Sequence, residues 1–202
     1  TGSAQVTVGV VDTGIDAAHP DLAPNLWTNP GESGGGRETN GLDDDGNGRI
    51  DDVHGWDFVD HDAQPQDGNG HGTHVSGTIA ARGNDATGVA GLNWSSALMP
   101  LRVLGDDGSG FVSNAIRAYT YAARNGARVV NASLGGPTFS RAEHDALAAA
   151  PNTLFVVAAG NDGADNDTTP DYPCDYDLVN VVCVAASDHD DALASFSNYG
   201  PV

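Results

Sequence analysis

A chain of 202 residues can bury one sizeable core and needs no second domain. Its 28 acidic against 8 basic residues give a formal charge of −20, a field that repels nucleic acid and anionic membranes and attracts cations. No run of 18 apolar residues exists, and Thr1 to Gln5 has no basic start leading into an apolar stretch, so neither a membrane span nor a retained signal peptide is expected. Acidity alone suits a solvated surface, salt adaptation or metal binding equally well. Position has to decide, and the carboxylates concentrate between Asp43 and Asp67.

Val6 to Val11 is a nearly continuous apolar run, as expected of a strand buried on both faces of a parallel sheet, and it ends in Asp12-Thr13-Gly14. Asn29 to Gln66 is acidic and glycine-rich, shows no strand or helix period, and reads as an inserted surface loop that something must order. A helix of small residues is expected over His74 to Ala81, a strand over Ala97 to Leu104, and a helix over Phe111 to Arg124 that Gly126 ends. Further strands are expected over Ala127 to Ser133, Thr153 to Ala159 and Val179 to Ala186. Between the first two of these, Ser140-Arg141-Ala142-Glu143 has the capping-box pattern, in which hydroxyl and carboxylate satisfy reciprocal backbone donors, and Ala142 to Ala150 continues the helix. Alternating strands and helices predict an α/β fold, a three-layer open and mainly parallel sheet with helices on both faces. Ligands in such sheets collect at the carboxyl ends of the strands, where Asp12, Ser133-Leu134-Gly135-Gly136 and Gly160-Asn161 fall.

Cys174 and Cys183 admit two readings, a disulfide that needs an oxidising compartment or two buried free thiols. A carboxylate at a strand end, such as Asp12, is costly unless it accepts hydrogen bonds or faces a cation. The best candidate partner is His71, at the start of a small-residue helix and set among glycines in Gly70-His71-Gly72-Thr73-His74-Val75-Ser76-Gly77-Thr78, with Gly72 and Gly77 leaving room for close approach by a substrate or a second helix and His74 read as structural.

Three ordered motifs, Val8 to Asp16, Gly70 to Ala80 and Ala158-Ala159-Gly160-Asn161, resemble the signatures of the subtilisin-like serine proteases (subtilases), and the likeness runs along nearly the whole chain. It implies that Asp12 orients His71, that His71 serves as general base and then general acid, and that Asn161 donates to the oxyanion of the tetrahedral intermediate. It also implies that Gly108-Ser109-Gly110 and Ser133-Leu134-Gly135 pair with an extended polypeptide substrate, and that Ala158, Ala159 and Gly160 line the pocket for the residue before the cut bond. The family's Gly-Thr-Ser-Met-Ala nucleophile motif is expected a few tens of residues after Ser197-Asn198-Tyr199-Gly200-Pro201. Residues 1–202 thus read as one partial catalytic domain with an acidic insertion at about 29–66, incomplete at its C-terminus and inactive alone. A secreted monomer is expected, with a propeptide as a candidate partner.

Calcium is the implied cofactor. Asp43-Asp44-Asp45-Gly46-Asn47-Gly48-Arg49-Ile50-Asp51 matches the first nine positions of an EF-hand loop, with side-chain donors at Asp43, Asp45, Asn47 and Asp51 and the carbonyl of Arg49. Its closing position is His54, so that Asp52 is a candidate to complete the shell. By resemblance, a second site would use Asp57, Asp62, Gln64 and Gln66, and a third Asp21, Asp85 and the carbonyls of Arg82, Thr87 and Val89.

Two other chemistries are excluded. An aspartic protease needs a second Asp-Thr-Gly or Asp-Ser-Gly, and there is none. The helical zinc motif needs histidines at i and i+4, whereas His71 and His74 are three apart. The alternative is a calcium-stabilised, non-catalytic peptide-binding module of the same fold.

Overall fold

The protein is described from a computed structural model covering residues 2–200; Thr1, Pro201 and Val202 lie outside the described residues. Six parallel strands form one sheet: β1 (Gly2–Asp12), β2 (Trp56–Asp57), β3 (Ser95–Arg102), β4 (Val129–Ala132), β5 (Leu154–Ala158) and β6 (Val181–Val184). Their spatial order is β2-β3-β1-β4-β5-β6, so the two halves of the sheet grow outward from β1. That reversal opens a crevice beyond the carboxyl end of β1, where Asp12 stands in register with Arg102 of β3.

Side chains alternate across the sheet, and each face is covered by helix. Val10 and Leu98 point to one face, where they pack with Ile15, Leu22 and the end of α1 (His71–Ala80). Val11, Met99 and Leu101 point to the other, into a larger core with Tyr119 and Ala122 of α2 (Val112–Arg124) and Leu147 of α3 (Arg141–Ala148). The three-layer α/β architecture expected from the alternation of elements is the one observed.

Four local expectations need correction. The acidic stretch does contain a strand, β2, whose two residues pair with Leu101 and Arg102 and carry no periodicity of their own. Helix α1 begins three residues ahead of the expected His74, which puts His71 at its mouth as the glycine-flanked motif has it; the carboxylate of Asp67 accepts from Thr73 N and so holds this first turn. The capping box at α3 is half made: Ser140 Oγ accepts from Glu143 N at 3.3 Å, but the Glu143 carboxylate turns inward to accept from Tyr176 Oη at 2.9 Å. Gly72 is bare because a methyl group there would collide with the Gly14 carbonyl and crowd Asp12, which is a demand of the fold and not of a substrate.

Candidate active site

Asp12 is 0% exposed, and its Oδ1 accepts from Thr13 N at 2.7 Å and from His71 Nδ1 at 2.7 Å. A carboxylate only accepts, so the shared proton sits on Nδ1 and the lone pair is left on Nε2. The two side chains meet because β1 delivers one and the first residue of α1 the other. The His71 side chain is 47% exposed and lines a cavity of about 600 Å³, so its free nitrogen is available to a reacting group.

That helix start is fastened by Asp67, whose part the sequence did not reveal. Its Oδ1 accepts from Thr13 Oγ1 at 2.8 Å and from Gly70 N at 2.8 Å, and its Oδ2 accepts from Thr73 N at 2.9 Å. Thr13 Oγ1 in turn accepts from Gly72 N at 2.9 Å. Burial raises the Asp67 pKa, but hydrogen bonds from Thr73, Gly70 and Thr13 outweigh it and hold the carboxyl below its ordinary value. An acidic residue just ahead of a helix was the available signal.

The same cavity is lined by Gly108, Ser109 and Gly110 on one side and by Ser133, Leu134 and Gly135 on the other, with Asn69, Phe111 and Tyr172. A second, smaller cleft of about 260 Å³ is lined by Ala158, Ala159, Gly160 and Asn161, and Ser133 borders both. Asn161 is exposed. The turn after it is pinned by buried Asn198, whose Oδ1 accepts from Asp162 N and Ala164 N at 2.8 and 3.1 Å. His74 is exposed on the wall of a separate cavity that also holds Asp16 and Asp21.

Behind Gly135 the groove is acidic. A Cβ on Gly135 would collide with Asp171 Oδ1, an oxygen that is buried without a hydrogen-bond partner among the described residues. Burial raises the pKa of Asp171, and Asp175 and Asp162 raise it further.

The expected metal ligands fall into distinct groups. Asp21 is buried, its Oδ2 accepts from Val89 N at 2.9 Å, and its Oδ1 has no partner among the described residues. Asp85, which accepts from Thr87 N, lies 3.9 Å from Arg82 Nε, and Arg82 N bonds to the Asp21 carbonyl. A buried carboxylate oxygen left without a hydrogen-bond partner suits a hard cation. Asp57 is different, because Arg102 Nη1 already lies 2.6 Å from its Oδ2, while its Oδ1 accepts from Val59 N and Asp60 N. Asp62, Gln64 and Gln66 share that loop, where Asp62 Oδ1 accepts from Gln64 N and the Gln64 carbonyl from Gln66 N.

In the EF-hand-like loop, Asp43 accepts from Asn47 N and Gly48 N, and Asp45 Oδ1 from Asn47 N. Asp51 instead accepts from Gly41 N, and His54 Nδ1 bonds to the Trp27 carbonyl. The Arg49 guanidinium lies over Trp56 and Phe58, with its carbon 5.0 and 5.4 Å from the ring centroids. Cys174 and Cys183 form a disulfide.

Residues 3–202 match the model of the subtilase family of peptidases. Thermitase from Thermoactinomyces vulgaris is 39% identical over 197 residues, covering 96% of this chain and 60% of thermitase. Subtilisin DY from Bacillus licheniformis is 38% identical over 200 residues, covering 98% of this chain and 62% of that protein. The crystal structure of a cold adapted subtilisin-like serine proteinase superposes with a TM-score of 0.70 at 32% identity, covering 97% of this chain and 60% of that one. The chain thus spans about three-fifths of the length of these relatives.

Proposed function

This chain belongs to the subtilase family, and we propose from that premise that it is part of the catalytic domain of a secreted serine endopeptidase. Asp12, His71 and a serine supplied from outside residues 1–202 form its triad. The observation that carries this reading is the 2.7 Å bond from His71 Nδ1 to buried Asp12, on the wall of the cavity that both peptide-pairing segments line.

With an extended polypeptide in the groove, Gly108 to Gly110 and Ser133 to Gly135 pair with its backbone on either side. His71 Nε2 takes the serine proton as the hydroxyl attacks the carbonyl carbon, and Asp12 stabilises the imidazolium that forms. Asn161 donates its side-chain amide to the oxyanion, a contact worth about 3 to 4 kcal/mol of transition-state stabilisation. His71 then passes the proton to the leaving amine, and in the second half it activates the water that releases the acyl group.

Calcium is the resident ion of this reading, bound by the Asp21, Arg82, Asp85, Thr87 and Val89 set and by the acidic insertion, where its role is to order loops. The Asp57, Asp62, Gln64 and Gln66 set has less need of an ion, since Arg102 balances Asp57. Secretion is supported by the disulfide, which persists in oxidising compartments. A monomer matured from a propeptide-bearing precursor fits the same reading.

The test is hydrolysis of fluorogenic peptides by a version extended beyond residue 202 and by residues 1–202 alone. The extended enzyme is expected to cleave and to lose about 10⁴-fold in kcat when Asp12→Asn removes the carboxylate that fixes the His71 tautomer and stabilises its imidazolium. The 202-residue chain is expected to be silent. An extended enzyme indifferent to Asp12→Asn, or cleavage by residues 1–202 that a serine-directed reagent blocks, would overturn the assignment.

A further inference from the structure

Within the acidic insertion, one group of carboxylates does not follow the EF-hand pattern. Glu32, Asp45 and Asp52 each present an oxygen within 4.8 Å of the other two. Glu32 and Asp52 are each 0% exposed, whereas Asp45 opens to solvent. The close approach depends on Gly31, because a Cβ there would collide with Asp45. Among the described residues no basic side chain forms an ion pair with any of the three.

Hydrogen bonds satisfy this group only in part. Glu32 Oε1 accepts from Asp44 N and Asp45 N at 2.7 and 3.1 Å, but Oε2 is buried with no partner among the described residues. The side-chain amides of Asn29 and Asn47 each donate to both Asp45 and Asp52, at 2.9 to 3.0 Å. Tyr121 of α2 donates its hydroxyl to Asp52. Three like charges at this spacing, two of them out of water and one with an oxygen unanswered, need a compensating cation.

We propose that Glu32, Asp45 and Asp52 form a calcium site of their own, seated on the core side of the loop, in place of the EF-hand shell. Of the carboxylates that the loop motif uses, only Asp45 belongs to the group that meets within 4.8 Å; Asp43 and Asp51 do not, and Asp51 accepts from Gly41 N instead. A donor set of carboxylate oxygens selects a hard cation, and calcium accepts irregular shells completed by water, which the exposed side of Asp45 admits. An ion here joins the turn at residues 29–32 to the loop at 43–48. Through Asp52 and Tyr121 it fastens both to α2 and the sheet. The inference rests on the calcium reading for the identity of the ion and goes beyond it in the ligands.

The test is calorimetric titration of the chelator-stripped 202-residue chain with calcium, repeated with terbium followed by its luminescence. Glu32→Gln and Asp45→Asn are each expected to remove one bound ion, or to weaken it more than about tenfold. Asp51→Asn is expected to leave that ion in place, and Asp21→Asn to remove a different one. Because Asp45 is exposed, Asp45→Asn keeps the test usable should Glu32→Gln fail to fold. Unchanged stoichiometry and affinity in both Glu32→Gln and Asp45→Asn, or loss of the ion in Asp51→Asn, overturns this site alone. Absence of any calcium binding by the wild-type chain overturns this site and the calcium reading together.

Discussion

At Glu143 the local sequence and the tertiary packing want the carboxylate in different places. The motif beginning at Ser140 predicts that it folds back onto the Ser140 amide, but that amide donates to Tyr176 Oη at 3.1 Å instead. The phenol takes the carboxylate's place on the backbone and then donates to it in the interior at 2.9 Å. Burial pushes the Glu143 pKa up, and the Tyr176 bond only partly opposes this. A folded-state value above the unfolded one means that the native protein holds the proton more tightly. The associated stability is therefore full below the ordinary value of 4.5 and is lost as pH rises through the raised folded value. Glu143→Gln, which keeps an acceptor for Tyr176 and cannot ionise, is expected to flatten that decline. Urea-unfolding midpoints taken from pH 4 to pH 7 check it; parallel curves for variant and wild type would refute the buried-carboxylate account.

Helix α1 shows how the position of one side chain is set by a helix's first turn. Its residues are small, and its apolar face is narrow, with Ala80 alone of its apolar side chains fully buried. What fixes the position of His71 is the knot of Asp67 with Thr13, Gly70 and Thr73. Asp67→Ala is expected to cost about 1 to 2 kcal/mol, in line with the loss of a strong cap, and to lower the melting temperature. It should also broaden or shift the His71 ring resonances in NMR spectra, which a distant surface change would leave alone. The helix itself was legible from its glycine-flanked motif, and α2 from its period and from Gly126, which adopts φ +80°. Strand β2 was not legible, because Trp56-Asp57 becomes a strand only by pairing with Leu101 and Arg102.

On the scale of the molecule, the outer edge of the sheet is tied by the disulfide between the 171–178 loop and β6. In the chain-entropy account, a closed loop of this size contributes about 2.5 to 3 kcal/mol. Replacing both cysteines by serine is expected to lower unfolding stability by about that much under oxidising conditions, with reductant reproducing the loss in the wild type. A wild-type curve indifferent to reductant would refute it. By itself the sequence determined the α/β class and the family, because buried strands, helix signals and short glycine-bearing motifs are written in local residue order; the pairing of Asp12 with His71 came only as what that resemblance implies. Only the tertiary structure decided which carboxylates meet. Glu32 and Asp45 lie thirteen residues apart, and Tyr121 is 69 residues from Asp52, so no local pattern encodes their approach. Side-chain hydrogen bonds and like charges act over a few ångströms of space, and the distance along the chain carries no information about them until the core has formed.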